Sequence, residues 1–146
     1  MSALYTVTRT SSAVSTSNDS LTLIAASGKP FYIHIAAIEG MGTSSAANEI
    51  VLARSTGGTT GGGAITPSPN DPGSTPASLL VYTTWVAQPT LGSVLWRFGP
   101  NANGGASKQV TPPGMSFFVP ASAQVSLRAV SGSSLVLLNL QLEEIA

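Results

Sequence analysis

The chain has 146 residues, of which only 8% are charged, and its six basic and six acidic side chains give a net charge of zero. Such a chain lacks the field that gathers phosphate backbones or anionic lipids, so neither nucleic acid nor a membrane is a predicted partner. Cysteine is absent, which excludes disulfides, thiolate nucleophiles and thiolate zinc sites. The length fits one domain spanning 1–146.

Hydrophobic residues make up 42% of the chain, although ordinary soluble domains carry about 25% charged residues. A surface with so few charges does not repel neighbouring molecules. The composition therefore favours an oligomer or assembly subunit, in which much of the surface is covered.

Short runs rich in Val, Ile, Leu, Thr and aromatics alternate with Gly, Pro, Ser and Asn clusters, and apolar residues do not recur at helical spacing. The predicted strands, in chain order, are 3–9, 21–26, 31–39, 48–54, 79–87, 93–99, 115–120, 123–130 and 134–144. Eight or nine short strands with one long connection indicate an all-β, antiparallel jelly-roll sandwich of about eight strands. An immunoglobulin-like sandwich is the nearest competitor.

The strand 31–39 is apolar on both faces, which predicts a position in the middle of a sheet. Regular alternation would place one set of side chains on one face (Phe31, Ile33, Ile35, Ala37) and the other set opposite (Tyr32, His34, Ala36, Ile38).

The strand 134–144 has the clearest period of two. One face is apolar (Val136, Leu138, Leu140, Leu142) and the other is mostly polar (Asn139, Gln141, Glu143).

The stretch 55–78 contains almost only Gly, Thr, Ser, Pro, Asn and Asp. It is predicted to be a long extended loop, either a flexible excursion or a segment docked on a neighbour. Its glycine run resembles a phosphate loop only superficially, because neither a lysine nor a helix follows it.

Catalytic groups are scarce. His34, the sole histidine, is interpreted as a packing or interface residue, and Glu143 and Glu144 must point to opposite faces of their strand. We therefore expect no enzyme, no catalytic residue, no cofactor and no metal site.

The tryptophans Trp85 and Trp96 are interpreted as core or subunit-interface residues, although aromatic rings also stack on sugars. Arg54, Arg97 and Arg128 are isolated, and each is expected either to pair with a carboxylate or to lie at a solvated strand end.

One segment resembles a known family. Arg54 ends a strand, a Thr- and Gly-rich run follows, then Thr66-Pro67-Ser68-Pro69, and the last strand closes on Leu142-Glu143-Glu144-Ile145. This pattern is similar to that of small tailed-bacteriophage proteins, among which jelly-roll capsid decoration (cement) proteins are the relevant class. The sequence departs from the pattern at Asn70-Asp71-Pro72-Gly73.

The resemblance implies a structural virion protein, made in the host cytoplasm and located on the capsid surface, where a homotrimer bridges subunits of the major capsid protein. The N-terminal residues lack the features of a signal peptide, which agrees with that expectation. The alternative is a carbohydrate- or receptor-binding module of a phage tail or fibre. The residues expected at an interface are Arg54, Thr66, Pro67, Pro69, Trp85 and Trp96.

Overall fold

The computed structural model describes residues 2–111 and 114–145, and for 10–12 it describes the backbone alone. These ranges contain no helix and thirteen strands. The strands are β1 (Ser2–Ala13), β2 (Asp19–Ile24), β3 (Phe31–Met41), β4 (Glu49–Thr56), β5 (Thr59–Thr60), β6 (Ser68–Pro69), β7 (Leu80–Tyr82), β8 (Trp85–Ala87), β9 (Thr90–Phe98), β10 (Asn103–Val110), β11 (Phe117–Val119), β12 (Gln124–Ser131) and β13 (Leu135–Ile145).

The strands form two antiparallel sheets and a small ribbon. The front sheet has the order β10-β3-β13-β1-β6, with β11 also paired to β3, and the back sheet has the order β7-β2-β12-β4-β9. Eight main strands, four from each sheet, give the orders β10-β3-β13-β1 and β2-β12-β4-β9. This is the strand order of a jelly roll, so the predicted fold class is confirmed from the topology itself.

The core lies between the two sheets and is built from the inward side of each alternating strand. On β13 the predicted apolar set is buried (Val136, Leu138, Leu140, Leu142), and Leu21, Leu23, Ile50, Leu52, Val125 and Leu127 meet it from the back sheet. Glu143 and Glu144 point to opposite faces, as alternation requires.

The prediction of regular alternation along β3 is wrong after Ile33. Phe31 and Ile33 are buried, but the next buried residues are Ala36 and Ile38. The register against β13 shifts at this point, where Leu142 pairs with Ile33 and Gln141 with Ile35. A β-bulge therefore places His34 and the following residue on the same outer side.

The bulge coincides with a change of partner. Before it β3 pairs with β11, and after it β3 pairs with β10. β10 was not predicted as a strand, and the predicted strand 79–87 is divided into β7, in the back sheet, and β8, in the ribbon.

Candidate functional site

The outer face of the back sheet is covered by the chain's own long connection between β4 and β9. Two segments of it, 57–64 and 83–89, lie over this face and pair with each other as β5 and β8; we call them the strap. Trp85 Nε1 donates to Thr22 Oγ1 at 3.1 Å, and Gln124 Nε2 donates to the carbonyl of Gly57 at 3.1 Å. The outward side chains beneath are consequently buried (Thr22, Val51, Ala53, Ser55, Ser126).

A buried ion pair within the back sheet also anchors the strap through the hydrogen bonds of its two residues. Arg128 Nε lies 2.6 Å from Asp19 Oδ1, and the two side chains are 14% and 0% exposed. Arg128 also donates to the carbonyl of Pro89 at 2.7 Å, while Thr22 donates to Asp19 at 2.6 Å. Gln88 accepts from the amide of Asp19. The strap is thus held by polar groups that are shielded from water.

Gly58 is required where the first strap segment passes over Trp85 of the second segment. Its φ is +92°, and a Cβ there would lie 2.7 Å from Cζ3 of the Trp85 ring. We expect Gly58→Ala to destabilise the protein by about 2–3 kcal/mol, from left-handed strain and overpacking together.

The matched control is Gly57→Ala, because Gly57 has φ +69° but open space around its Cβ position. Strain alone should cost about 1 kcal/mol there. Urea unfolding of both variants measures the difference in the free energy of unfolding. Equal losses would show that the first strap segment does not pack tightly on Trp85.

Residues 68–79, between the two strap segments, pack on the chain's own front sheet. β6 pairs with β1 through Pro69 and Tyr5, and Tyr5 donates to the carbonyl of Thr75 at 2.7 Å. Glu144, only 6% exposed, accepts from the amides of Ser78 and Leu79 at 2.7–3.0 Å. Burial, followed by the charge of Glu144, raises the pKa of Tyr5.

A cavity of about 370 Å³ lies between β1 and the 71–76 segment. Lys29, Tyr5 and Glu144 line it, and each already bonds to the 75–79 segment; Lys29 Nζ, for example, donates to Ser78 Oγ at 2.8 Å. Because these bonds join the walls of the cavity to each other, the cavity is a packing gap within the domain.

The front face, the outer side of the front sheet, has no comparable cover among the described residues. By strand register it presents five large apolar side chains that are 40–52% exposed: Leu4, Met41, Val110, Phe118 and Leu135. Tyr32 packs against Phe118 with ring centroids 5.1 Å apart. Several exposed apolar side chains on one uncovered face make that face the candidate interaction surface.

The two long edges beside the front face are also open. Within the described ranges, β9 pairs with β4 alone and β10 with β3 alone, whereas β6 and β7 extend the sheets on the opposite side. Trp96, 41% exposed, lies on β9 with its ring 6.5 Å from that of Phe117. Arg54 spans the gap between the sheets and donates to the carbonyl of Phe118 at 2.9 Å.

Four polar groups meet at the β3 bulge. His34 Nε2 lies 2.8 Å from Glu143 Oε2, and His34 Nδ1 lies 2.6 Å from Ser116 Oγ. Ser116 is 3.0 Å from Thr111 Oγ1, which donates to the carbonyl of His34 at 2.9 Å. Hydrogen bonds from Ser2 and then His34 lower the pKa of Glu143, against the opposing effect of burial.

The residues expected at an interface are dispersed. Trp85 is half-buried within the strap, Pro67 is buried, Pro69 is half-buried in β6 and Thr66 is exposed. Arg54 and Trp96 lie at the open side between the sheets. Nothing in the sequence singles out Ser116, Thr111, Val110 or Phe118. No local pattern indicates that Ser116, in a turn, contacts a histidine 82 positions away.

Within 2–111 and 114–145, no group of three His, Asp or Glu side chains is placed to hold a metal ion. The same ranges contain no helix with the length and apolar character needed to span a membrane.

Comparison with known proteins found no matching family model and no matching curated protein. Among solved structures the chain is similar to the Eiger TNF from S. frugiperda, with a TM-score of 0.31 and 10% identity over 100% of this chain and 92% of that one. A similarity this distant carries no argument about the fold. The fold is assigned from the strand order alone.

Proposed function

We propose that this protein is a structural subunit that assembles with copies of itself through the front face. The observation that carries the proposal is the set of five apolar side chains, 40–52% exposed, on a face that the chain leaves open while it covers the opposite face with its own strap. Burying such groups against a second copy is favourable by about 25 cal/mol per Å² of apolar area.

The open edges support the same proposal. Natural proteins protect an unpaired edge strand with lysine, proline or a covering segment. β9 carries a single charge, Arg97, and β10 carries a single charge, Lys108, and neither strand contains a proline. Most of each edge is therefore open to pairing with a second copy.

We further propose that the assembly is a homotrimer that decorates and stabilises a phage capsid by bridging major capsid protein subunits. The support for this setting is the sequence resemblance, which covers about 48–69 and the C-terminal strand, together with the low charge. The segment 54–69 runs from the end of β4 through the first half of the strap to β6.

Self-association is tested by light scattering after size-exclusion chromatography at micromolar concentration. The expected mass is three times 14.7 kDa for the unmodified chain. Phe118→Glu introduces a charge on the front face, on the short strand β11 beside β3, and we expect it to yield a folded monomer because an unpaired charge is costly to bury.

The matched control is Val86→Glu, since Val86 is 79% exposed on β8, on the opposite side of the molecule. It should leave the mass unchanged. A monomeric unmodified chain, or equal effects of the two variants, would contradict assembly through the front face.

Capsid decoration is tested on particles of the phage that encodes this chain. Cryo-electron microscopy of particles with and without the protein should show added density on the outer capsid surface, and the particles lacking it should break at lower force or temperature. Density in the tail instead would contradict the capsid assignment.

A second candidate is sugar binding, which the exposure of Trp96 favours, since a surface aromatic ring can stack on a pyranose. Titration with host polysaccharide should then shift the fluorescence of the protein, and Trp96→Ala should abolish the shift. Trp85→Phe is the control, because Trp85 is engaged with Thr22 beneath the strap.

A further inference from the structure

The first two residues of β10, Asn103 and Gly104, place a side-chain amide next to a backbone nitrogen that no side chain shields. An asparagine can close a ring with the nitrogen of the following residue, because both groups belong to the same short piece of chain. A side chain on that following residue obstructs the approach, whereas glycine permits it. Of the six asparagines, Asn103 is the one that precedes glycine; the others precede Asp, Glu, Ala or Leu (Asn18, Asn48, Asn70, Asn101, Asn139).

The fold leaves this pair of residues accessible. Asn103 and Gly104 are both exposed, and a Cβ built on Gly104 would meet nothing within 4 Å outside its chain neighbours. The register against β3 shifts between Asn103 and Ala106, which is the mark of a β-bulge, and Gly104 has a φ of +73°. The bulge interrupts the regular ladder next to Asn103, so solvent reaches the reacting groups.

Asn101, two residues earlier, is held quite differently. Its Nδ2 donates to Ser45 Oγ at 3.0 Å, and its Oδ1 accepts from the amide of Asn103 at 2.9 Å. The residue that follows it, Ala102, has a side chain and is only 1% exposed. Asn101 is therefore an internal control for Asn103 within the same turn.

We propose that Asn103 is a site of spontaneous deamidation. The nitrogen of Gly104 loses its proton to a solvent base and attacks Cγ of Asn103, which forms a C–N bond. The Cγ–Nδ2 bond breaks and ammonia leaves, so that a cyclic succinimide remains. Water then adds to one of the two ring carbonyls and opens the ring to aspartate or isoaspartate. Water is the co-reactant throughout, and no atom is oxidised or reduced.

Deamidation adds a charge to the front face. Asn103 pairs directly with Met41, and opposite residues of an antiparallel pair project from the same side, so the new carboxylate lies beside a side chain that is 49% exposed. Glu39 and Lys108 project from the same part of this face and balance each other in charge. The product therefore gives this corner a net negative charge.

The charge bears on assembly. An unpaired carboxylate is costly to bury against a second copy. It follows, and this step rests on the proposed function, that self-association weakens as the protein ages. The isoaspartate product has a further effect, because the main chain then runs through the former side chain and the pairing of residue 103 with Met41 is disrupted.

Peptide mapping by tandem mass spectrometry tests the site on the folded, unmodified chain. After incubation at mildly alkaline pH we expect a mass gain of one dalton at Asn103, about tenfold or more faster than at Asn101, because glycine does not obstruct ring closure. The rate should rise with pH, since the attacking nitrogen must lose its proton. Equal rates at the two asparagines would overturn the proposal.

Asn103→Gln is the matched variant. It keeps the side-chain amide but lengthens the side chain by one methylene, which disfavours closure of the ring, and it should abolish the mass gain in this peptide. An enzymatic assay for isoaspartate should give a signal with the unmodified chain and none with the variant. A mass gain that persists in Asn103→Gln would assign the reaction to another residue and overturn the proposal.

Asn103→Asp separates the site from its effect on assembly. Light scattering over a range of concentrations should show that this variant dissociates at higher concentration than the unmodified chain. Asn18→Asp, the same change at an exposed turn before the back-sheet strand β2, is the control and should assemble normally. Equal assembly of Asn103→Asp and Asn18→Asp overturns the link to assembly. A chain that is monomeric before any modification overturns the proposed function, while the peptide map still decides the deamidation site.

Discussion

Replacing Arg128 by alanine is expected to destabilise the fold by about 3–5 kcal/mol, because it leaves a buried carboxylate without its cation. The Asp19 side chain is fully buried and lies 2.6 Å from Arg128 Nε. The variant also frees the carbonyl of Pro89, so the second strap segment loses an attachment. Urea unfolding followed by circular dichroism measures the loss.

Arg97→Ala is the matched control. Arg97 pairs with Glu49 on the surface, where the side chains are 61% and 41% exposed, and such pairs contribute under about 1 kcal/mol. Adding Asp19→Asn to Arg128→Ala should recover part of the loss, since the amide is cheaper to bury than the charge. Equal costs at the two arginines would contradict a shielded pair beneath the strap.

The second large effect is expected at Glu144, whose replacement by alanine should cost about 2–4 kcal/mol. Its carboxylate accepts from the amides of Ser78 and Leu79, and Leu79 is 2% exposed, so water does not readily replace the lost acceptor. Thermal and urea unfolding measure the cost, and hydrogen exchange at 78–79 locates it.

Two further variants serve as comparisons for Glu144→Ala. Glu144→Gln keeps an acceptor oxygen and should cost less than the alanine variant. Glu39→Ala removes an exposed glutamate from the same sheet and should change the stability by no more than about 0.5 kcal/mol. If Glu144→Ala were as mild as Glu39→Ala, the 78–79 amides would have another acceptor.

Sequence reasoning was most successful where one face of a strand meets the core. The alternation in 134–144 predicted the buried set of β13 because every second side chain of a strand lies on the same face of the sheet. It missed β10, whose sequence Asn103-Gly-Gly-Ala-Ser-Lys-Gln-Val110 has low strand propensity and is held at an edge by pairing with β3.

The bulge at His34 and the path of 55–78 depend on partners that are distant in the chain. The bulge lies where the neighbour of β3 changes from β11 to β10. The strap is fixed by contacts such as that of Trp85 with Thr22, 63 positions apart. No local period encodes such contacts. The polar cluster at His34 also depends on distant partners, since Ser116 is 82 positions away and Glu143 is 109 positions away.

The place of β13 in the front sheet bears on how the protein is made. β13 lies between β1 and β3, so the last described strand to leave the ribosome fills the centre of a sheet whose other members are synthesised earlier. Until then the neighbouring edges of β1 and β3 have no partner, and unpaired edges in a nascent chain are prone to aggregate. Closure of the front sheet must therefore await the synthesis of β13, because β1 and β3 pair through it.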